Sequence, residues 1–147
     1  MKGAIAMIQI IAGGKGKGKT KILLDKVNSE VTTSKGSIVY LDKNTKHMYE
    51  LSKKVRLINV KDFFIENYNE FLGFICGIIS QDHDLEKVFL DSFLNIACIE
   101  GTDIDIAPII EKLDMISAKY QVDFIISMSY DKEQLPESVK EKVIVAL

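Results

Sequence analysis

Residues 13–20 read Gly-Gly-Lys-Gly-Lys-Gly-Lys-Thr, which fits the spacing G-x-x-x-x-G-K-[ST] at every fixed position. The stretch follows an apolar, β-branched run over 4–12 that contains Ile5, Ile8, Ile10 and Ile11. It precedes a segment with Ile22, Leu23, Val27 and Val31 at helical spacing. A strand, a glycine-rich loop and a helix in that order make a cradle for phosphate. The glycines let the backbone turn with its N–H groups inward, and the helix points its positive end at the anion. Lys19 is placed to reach the β- and γ-phosphates and the Thr20 hydroxyl to ligate Mg²⁺, so the motif implies a nucleoside triphosphate, ATP, held as its Mg²⁺ complex. Gly13, Gly14, Lys15, Gly16, Lys17, Gly18 and Lys21 complete the candidate binding loop. Lys15, Lys17 and Lys21 either add grip on the triphosphate or stand as a solvated lysine fringe.

The chain has 147 residues, 47% of them hydrophobic, which suits one domain spanning 1–147 with a sizeable core. A net charge of −2 gives no global attraction to nucleic acid or to an anionic membrane. The cluster Lys53, Lys54 and Arg56 is weak evidence for nucleic-acid contact and reads better as a basic edge strand that discourages pairing. Met1-Lys2 before an apolar run outlines a signal peptide, but cleavage near Gly13-Gly14 would destroy the loop. No other apolar run approaches the length of a membrane span. Cys76 and Cys98 lie in apolar surroundings and are expected to be buried free thiols of a reducing, cytoplasmic compartment. His47 and His83 have no ligand spacing to the cysteines, so no zinc site is expected.

Beyond the loop, β-branched runs recur at 37–42, 55–60, 87–91, 122–128 and 142–147, with helical patterns between them. The helix after the loop is expected to run to about Thr33, where Ser34-Lys35-Gly36 breaks it. A short helix is expected over 46–53. A longer one over 68–81 carries Phe71, Phe74, Ile75, Ile78 and Ile79 on one apolar face, with Gly73 and Gly77 read as sites of close packing on the sheet. The last, over 106–120, takes Pro108 in its first turn and Asp103 or Asp105 as cap. Strands alternating with helices imply a mainly parallel α/β sheet of about six strands, covered on both faces, with ligands at the strands' carboxyl ends.

A Mg²⁺-bound nucleotide calls for a carboxylate at the end of a buried strand beside the loop strand. Asp91 closes the run Lys87-Val88-Phe89-Leu90 and is the expected metal-side residue together with Thr20. Asp42 closes Ile38-Val39-Tyr40-Leu41 but follows too soon after the first helix, and Asp123 opens its strand instead of ending it.

This succession, a Walker A loop, a strand ending Tyr40-Leu41-Asp42-Lys43-Asn44, a helix, a short strand, an amphipathic helix and Phe89-Leu90-Asp91-Ser92, resembles the RecA-like ATPase core over nearly the whole chain. The chain also looks like the short stand-alone ATP-binding proteins labelled as twitching-motility, PilT-type. The pilus-retraction motors carry an extra amino-terminal domain, acidic and histidine-rich boxes and more arginines than these 147 residues show, so their motor activity is not expected here. The resemblance implies a three-layer P-loop NTPase with strand order 3-2-4-5-1-6. It makes Asp91 the Walker B aspartate and places Ser127 or Ser129 at the polar sensor position. It also implies a water-polarising glutamate two residues beyond Asp42, where this chain has Asn44. Position 92, directly after Asp91, is Ser.

A water-activating carboxylate is therefore missing from both usual places, which leaves Asp42 or Glu100 for the role; an amide at Asn44 orients water without accepting its proton well. Slow or absent intrinsic hydrolysis follows as an expectation. Arg56 is the only arginine, so a transition-state finger must be Arg56 or a lysine, and the arginine-bearing lid common in nucleotide kinases is absent. Three functions stay open: a slow or partner-activated ATPase, an ATP-sensing module that signals to a protein partner or a second copy, and a small-molecule phosphotransferase.

Overall fold

The structure, a computed structural model, describes residues 6–147. The expected strand start at positions 4 and 5 lies outside the described residues. Six strands, β1 (Ile8–Ala12), β2 (Ser37–Asp42), β3 (Val55–Asn59), β4 (Leu85–Leu90), β5 (Asp123–Met128) and β6 (Val143–Ala146), form one sheet in the order β3-β2-β4-β5-β1-β6. Every neighbouring pair is parallel. Helices α1 (Lys19–Glu30), α2 (Tyr68–Ser80), α3 (Phe93–Ile96), α4 (Ala107–Tyr120) and α5 (Glu137–Lys140) cover it.

Alternation along the strands divides the core in two. Ile10, Val39, Leu41, Val88, Leu90, Phe124 and Ile126 point to one face and pack with the apolar sides of α2, α3 and α4. Ile11, Ile38, Tyr40, Phe89 and Ile125 point to the other and meet Leu23, Leu24 and Val27 of α1. The result is three layers. Because the side-chain period of a strand is two, Tyr40 and Asp42 share the α1 face, the face on which the glycine-rich loop opens.

Several expectations are corrected. Helix α1 stops at Glu30 instead of reaching Thr33: the Thr32 and Thr33 hydroxyls bond back to the carbonyls of Ser29 and Glu30, at 2.7 and 3.3 Å, and close the chain into a turn. The helix expected over 46–53 is a single 3₁₀ turn, Met48–Glu50. Its backbone groups are engaged elsewhere, since Lys46 N–H goes to the Asn44 side chain while Asn28 of α1 donates to Glu50 O and accepts from Ser52 N–H.

Helix α2 buries Phe71, Leu72, Ile75, Ile78 and Ile79, with Phe74 half-buried. Gly73 and Gly77 lie on the opposite, exposed side, where an added Cβ would meet nothing within 4 Å, so they do not pack on the sheet. Cys76 shares that outward side and is exposed; Cys98 is half-buried. Both are free thiols, but neither is the buried one expected. Asn67 caps α2 by accepting the Glu70 N–H, and Asp105 accepts the Ala107 N–H at the start of α4. The basic run Lys53, Lys54 and Arg56 does flank an edge, because β3 ends the sheet. No helix among the described residues is long and apolar enough to cross a membrane.

Candidate functional site at the carboxyl end of the sheet

The loop between β1 and α1 turns through Gly16 at φ 79° and Gly18 at φ 91°, backbone conformations that disfavour any side chain. Gly18 is the residue from which α1 starts, so the loop delivers the chain directly into a helix whose first N–H groups have no intrahelical partner. Lys19, only 9% exposed, folds back over the loop and donates to Gly14 O at 2.9 Å. Burial lowers its pKa, against the attraction of Asp91 and Asp131. Asp131, which follows β5, accepts the Gly14 N–H at 3.2 Å and so ties the loop to the next strand end.

Asp91 is the polar centre of the site. Its carboxylate, 2% exposed, accepts from Thr20 Oγ1 at 3.2 Å and Ser127 Oγ at 2.8 Å on one oxygen, and from Tyr40 OH at 2.7 Å on the other. Ser127 in turn accepts the Ser92 N–H at 2.9 Å. The strand register brings these groups together, since Leu41 pairs with Leu90 and Leu90 with Ile126, so that residues 42, 91 and 127 lie level near the carboxyl ends of three adjacent strands. A carboxylate with three good donors is fixed in place and stays a hard-oxygen donor for whatever approaches beside Thr20.

A cleft of about 340 Å³ opens over these groups. Lys15, Gly16, Gly18, Lys19 and Thr20 form one wall, Asp91, Ser127 and Ser129 the floor, and Lys43, Ser92, Leu94, Asn95 and Glu100 the far side. Of the other candidates, Gly13 is buried and donates to Met128 O, Lys17 is exposed, and Lys21 pairs with Asp25 at 3.4 Å beside a second hollow. Lys15 crosses the cleft to Glu100 at 3.2 Å. The hydrogen bond from Lys15 is the foremost cause that holds the Glu100 carboxyl below its usual range.

Asp42 and Asn44 do not line the cleft. Asp42 is 3% exposed and accepts Lys43 N–H at 2.7 Å. Burial, and then the nearby Asp91, push its pKa up to about 6. Asn44 accepts the Lys46 N–H at 3.0 Å. No protein-family model and no curated protein matches the chain. Site chemistry therefore rests on these residues alone.

Four participants escaped sequence reasoning: Tyr40, Lys43, Asn95 and Asp131. Tyr40 sits two positions before Asp42, so its face was legible, but a bond to a residue 51 positions away has no signal in one sequence. Lys43 and Asn95 look like ordinary surface residues until the cleft is drawn. Among the described residues no group of three or more His, Cys, Asp or Glu side chains gathers at one point. A divalent cation here would take Thr20 and Asp91 and fill its remaining positions from ligand oxygens and water, which is how Mg²⁺ is commonly held.

Proposed function

We propose that the chain binds ATP as its Mg²⁺ complex in the loop 13–20 and is a P-loop ATPase of RecA-like type with low or partner-activated turnover. The observation that carries this reading is Lys19. It is a nine-tenths buried lysine at the first turn of α1, with its ammonium over the loop and the Thr20 hydroxyl beside it within 3.2 Å of Asp91. Burial lowers the Lys19 pKa in spite of Asp91 and Asp131, and a phosphate chain in the cleft would add the negative charge that favours its ammonium form. The all-parallel sheet in the order β3-β2-β4-β5-β1-β6, with the loop at its carboxyl edge, supports the same reading.

In this reading Lys19 and the loop N–H groups hold the triphosphate, Thr20 and Asp91 hold the metal or its water, and Ser127 with Tyr40 keeps Asp91 aimed. The metal, when bound, neutralises charge on the phosphate oxygens. Calorimetric titration with Mg²⁺-ATP tests it. Lys19→Ala is expected to weaken binding by at least about 2 kcal/mol, since a charge-assisted contact is lost. Equal affinity for the two proteins refutes the assignment.

A nucleotide-sensing module without useful hydrolysis is the second reading. It is favoured by the residues that follow the two strand ends, Lys43, Asn44 and Ser92, none of which accepts a proton from water. Phosphate release by wild type no faster than by Lys19→Ala would select it.

A further inference from the structure

Under the ATPase reading, on which this inference rests, the unassigned group is the one that takes the proton of the attacking water. Asp91 and Glu100 are the carboxylates that line the cleft. Asp91 is committed, with both oxygens accepting from Thr20, Ser127 and Tyr40. Glu100 stands across the cleft on the connection between α3 and α4. Two left-handed residues, Cys98 at φ 63° and Gly101 at φ 74°, bracket it and turn it toward the loop. Asn95, from α3, lines the cleft with it and also helps to hold its carboxyl low.

Its other partner is Lys15, a residue of the loop itself, at 3.2 Å. Both side chains keep substantial exposure, 76% for Lys15 and 42% for Glu100. An ion pair of that kind shifts an equilibrium by about fivefold or less. A triphosphate carries several negative charges and outcompetes one carboxylate for the same ammonium. We propose that Lys15 masks Glu100 in the nucleotide-free protein, and that a bound triphosphate draws Lys15 away and leaves Glu100 as acceptor of the water proton.

In the step that follows, the water oxygen bonds to the γ-phosphorus while the bond from that phosphorus to the bridging oxygen breaks. The electron pair leaves with the diphosphate. The water proton passes to a Glu100 oxygen and from there to solvent or the released phosphate. Loss of the Lys15 hydrogen bond removes the main influence holding the Glu100 carboxyl low, so the group becomes a better base once the nucleotide is in place. A base on a connection instead of a strand end is expected to give low turnover.

The test uses the full chain as wild type, Glu100→Gln, Lys15→Met and the double variant, with Lys19→Ala as control. Calorimetry with Mg²⁺ and a non-hydrolysable ATP analogue, and with ADP, reads the masking independently of turnover. Single-turnover phosphate release from ATP reads the proton step. Glu100→Gln is expected to bind the analogue about threefold or more tightly than wild type, with a smaller gain for ADP and a smaller gain in the Lys15→Met background. It is expected to release phosphate at least about tenfold more slowly. Unchanged analogue affinity overturns the masking, and equal phosphate release by wild type and Glu100→Gln overturns the proton-acceptor role. A wild type that binds the analogue but releases no more phosphate than Lys19→Ala overturns this inference while leaving nucleotide binding intact. A wild type that does not bind the analogue refutes the nucleotide reading, and this inference with it.

Discussion

Tyr40 donates its hydroxyl to Asp91 at 2.7 Å, a buried bond between neighbouring strands that fixes the carboxylate beside Thr20. Burial, and then the Asp91 charge, push the Tyr40 hydroxyl far above the usual tyrosine range, so it stays neutral and always donates. The ring stacks against Phe89, with centroids 6.2 Å apart, which holds the hydroxyl in position. Asp91 is thus supported from β2, β5 and α1 at once.

Tyr40→Phe keeps the ring and removes the donor, leaving one Asp91 oxygen buried without its bond. Stability is expected to fall by about 1–3 kcal/mol. Urea unfolding should show a lower midpoint at unchanged slope. No shift in midpoint would mean that Asp91 draws little support from β2.

Metal dependence separates the two strand-end aspartates. Asp91→Asn is expected to cut the Mg²⁺-dependent part of ATP affinity by about tenfold or more, and Thr20→Ala to act mainly when Mg²⁺ is present. Asp42→Asn should matter less, because Asp42 lies outside the cleft lining. Titrations with and without Mg²⁺ decide it, and a larger effect at Asp42 reverses the assignment.

Asp42 also gives a pH signature. Its folded pKa is about 6, above the ordinary aspartate value, so between about pH 4 and 6 the folded protein binds more protons than the unfolded chain. Its contribution favours folding most at the acid end of that window and is lost as the pH rises through 6. Asp42→Asn keeps an acceptor for Lys43 N–H and removes the charge, so it should stabilise the protein at pH 7 by about 2 kcal/mol and not at pH 4. Denaturation midpoints at the two pH values give the measurement; equal gains at both would show that the carboxyl is not raised.

Asn44→Glu tests the strand-end position where the RecA-like resemblance puts a glutamate. Asn44 is tied to Lys46 N–H and does not line the cleft, so the substitution is expected to change phosphate release by less than about threefold. A gain of about 10²-fold in initial rate would instead place residue 44 in line with the γ-phosphate.

By itself the sequence carried the repeating units. The continuous apolar, β-branched runs over 37–42 and 87–91, and the 3.6-residue face of Ile75, Ile78 and Ile79, are local signals. They located β2, β4 and α2 to within a few residues. The glycine spacing of the loop was equally local, because Gly16 and Gly18 answer a backbone requirement written into adjacent positions. What local pattern does not encode is side-chain competition for backbone groups over distance. Asn28 takes the carbonyl of Glu50 and the N–H of Ser52, and the helix expected there shrinks to one turn. Helix α3 is too short to show a period, yet it carries Asn95 to the cleft. The cross-strand bond of Tyr40 to Asp91, the tie from Gly14 to Asp131 and the meeting of Lys15 with Glu100 join residues 51, 117 and 85 positions apart. Only the parallel register of the sheet, which brings the carboxyl ends of β1, β2, β4 and β5 to one edge, decides those contacts, since hydrogen bonds depend on distance in space and are blind to separation along the chain.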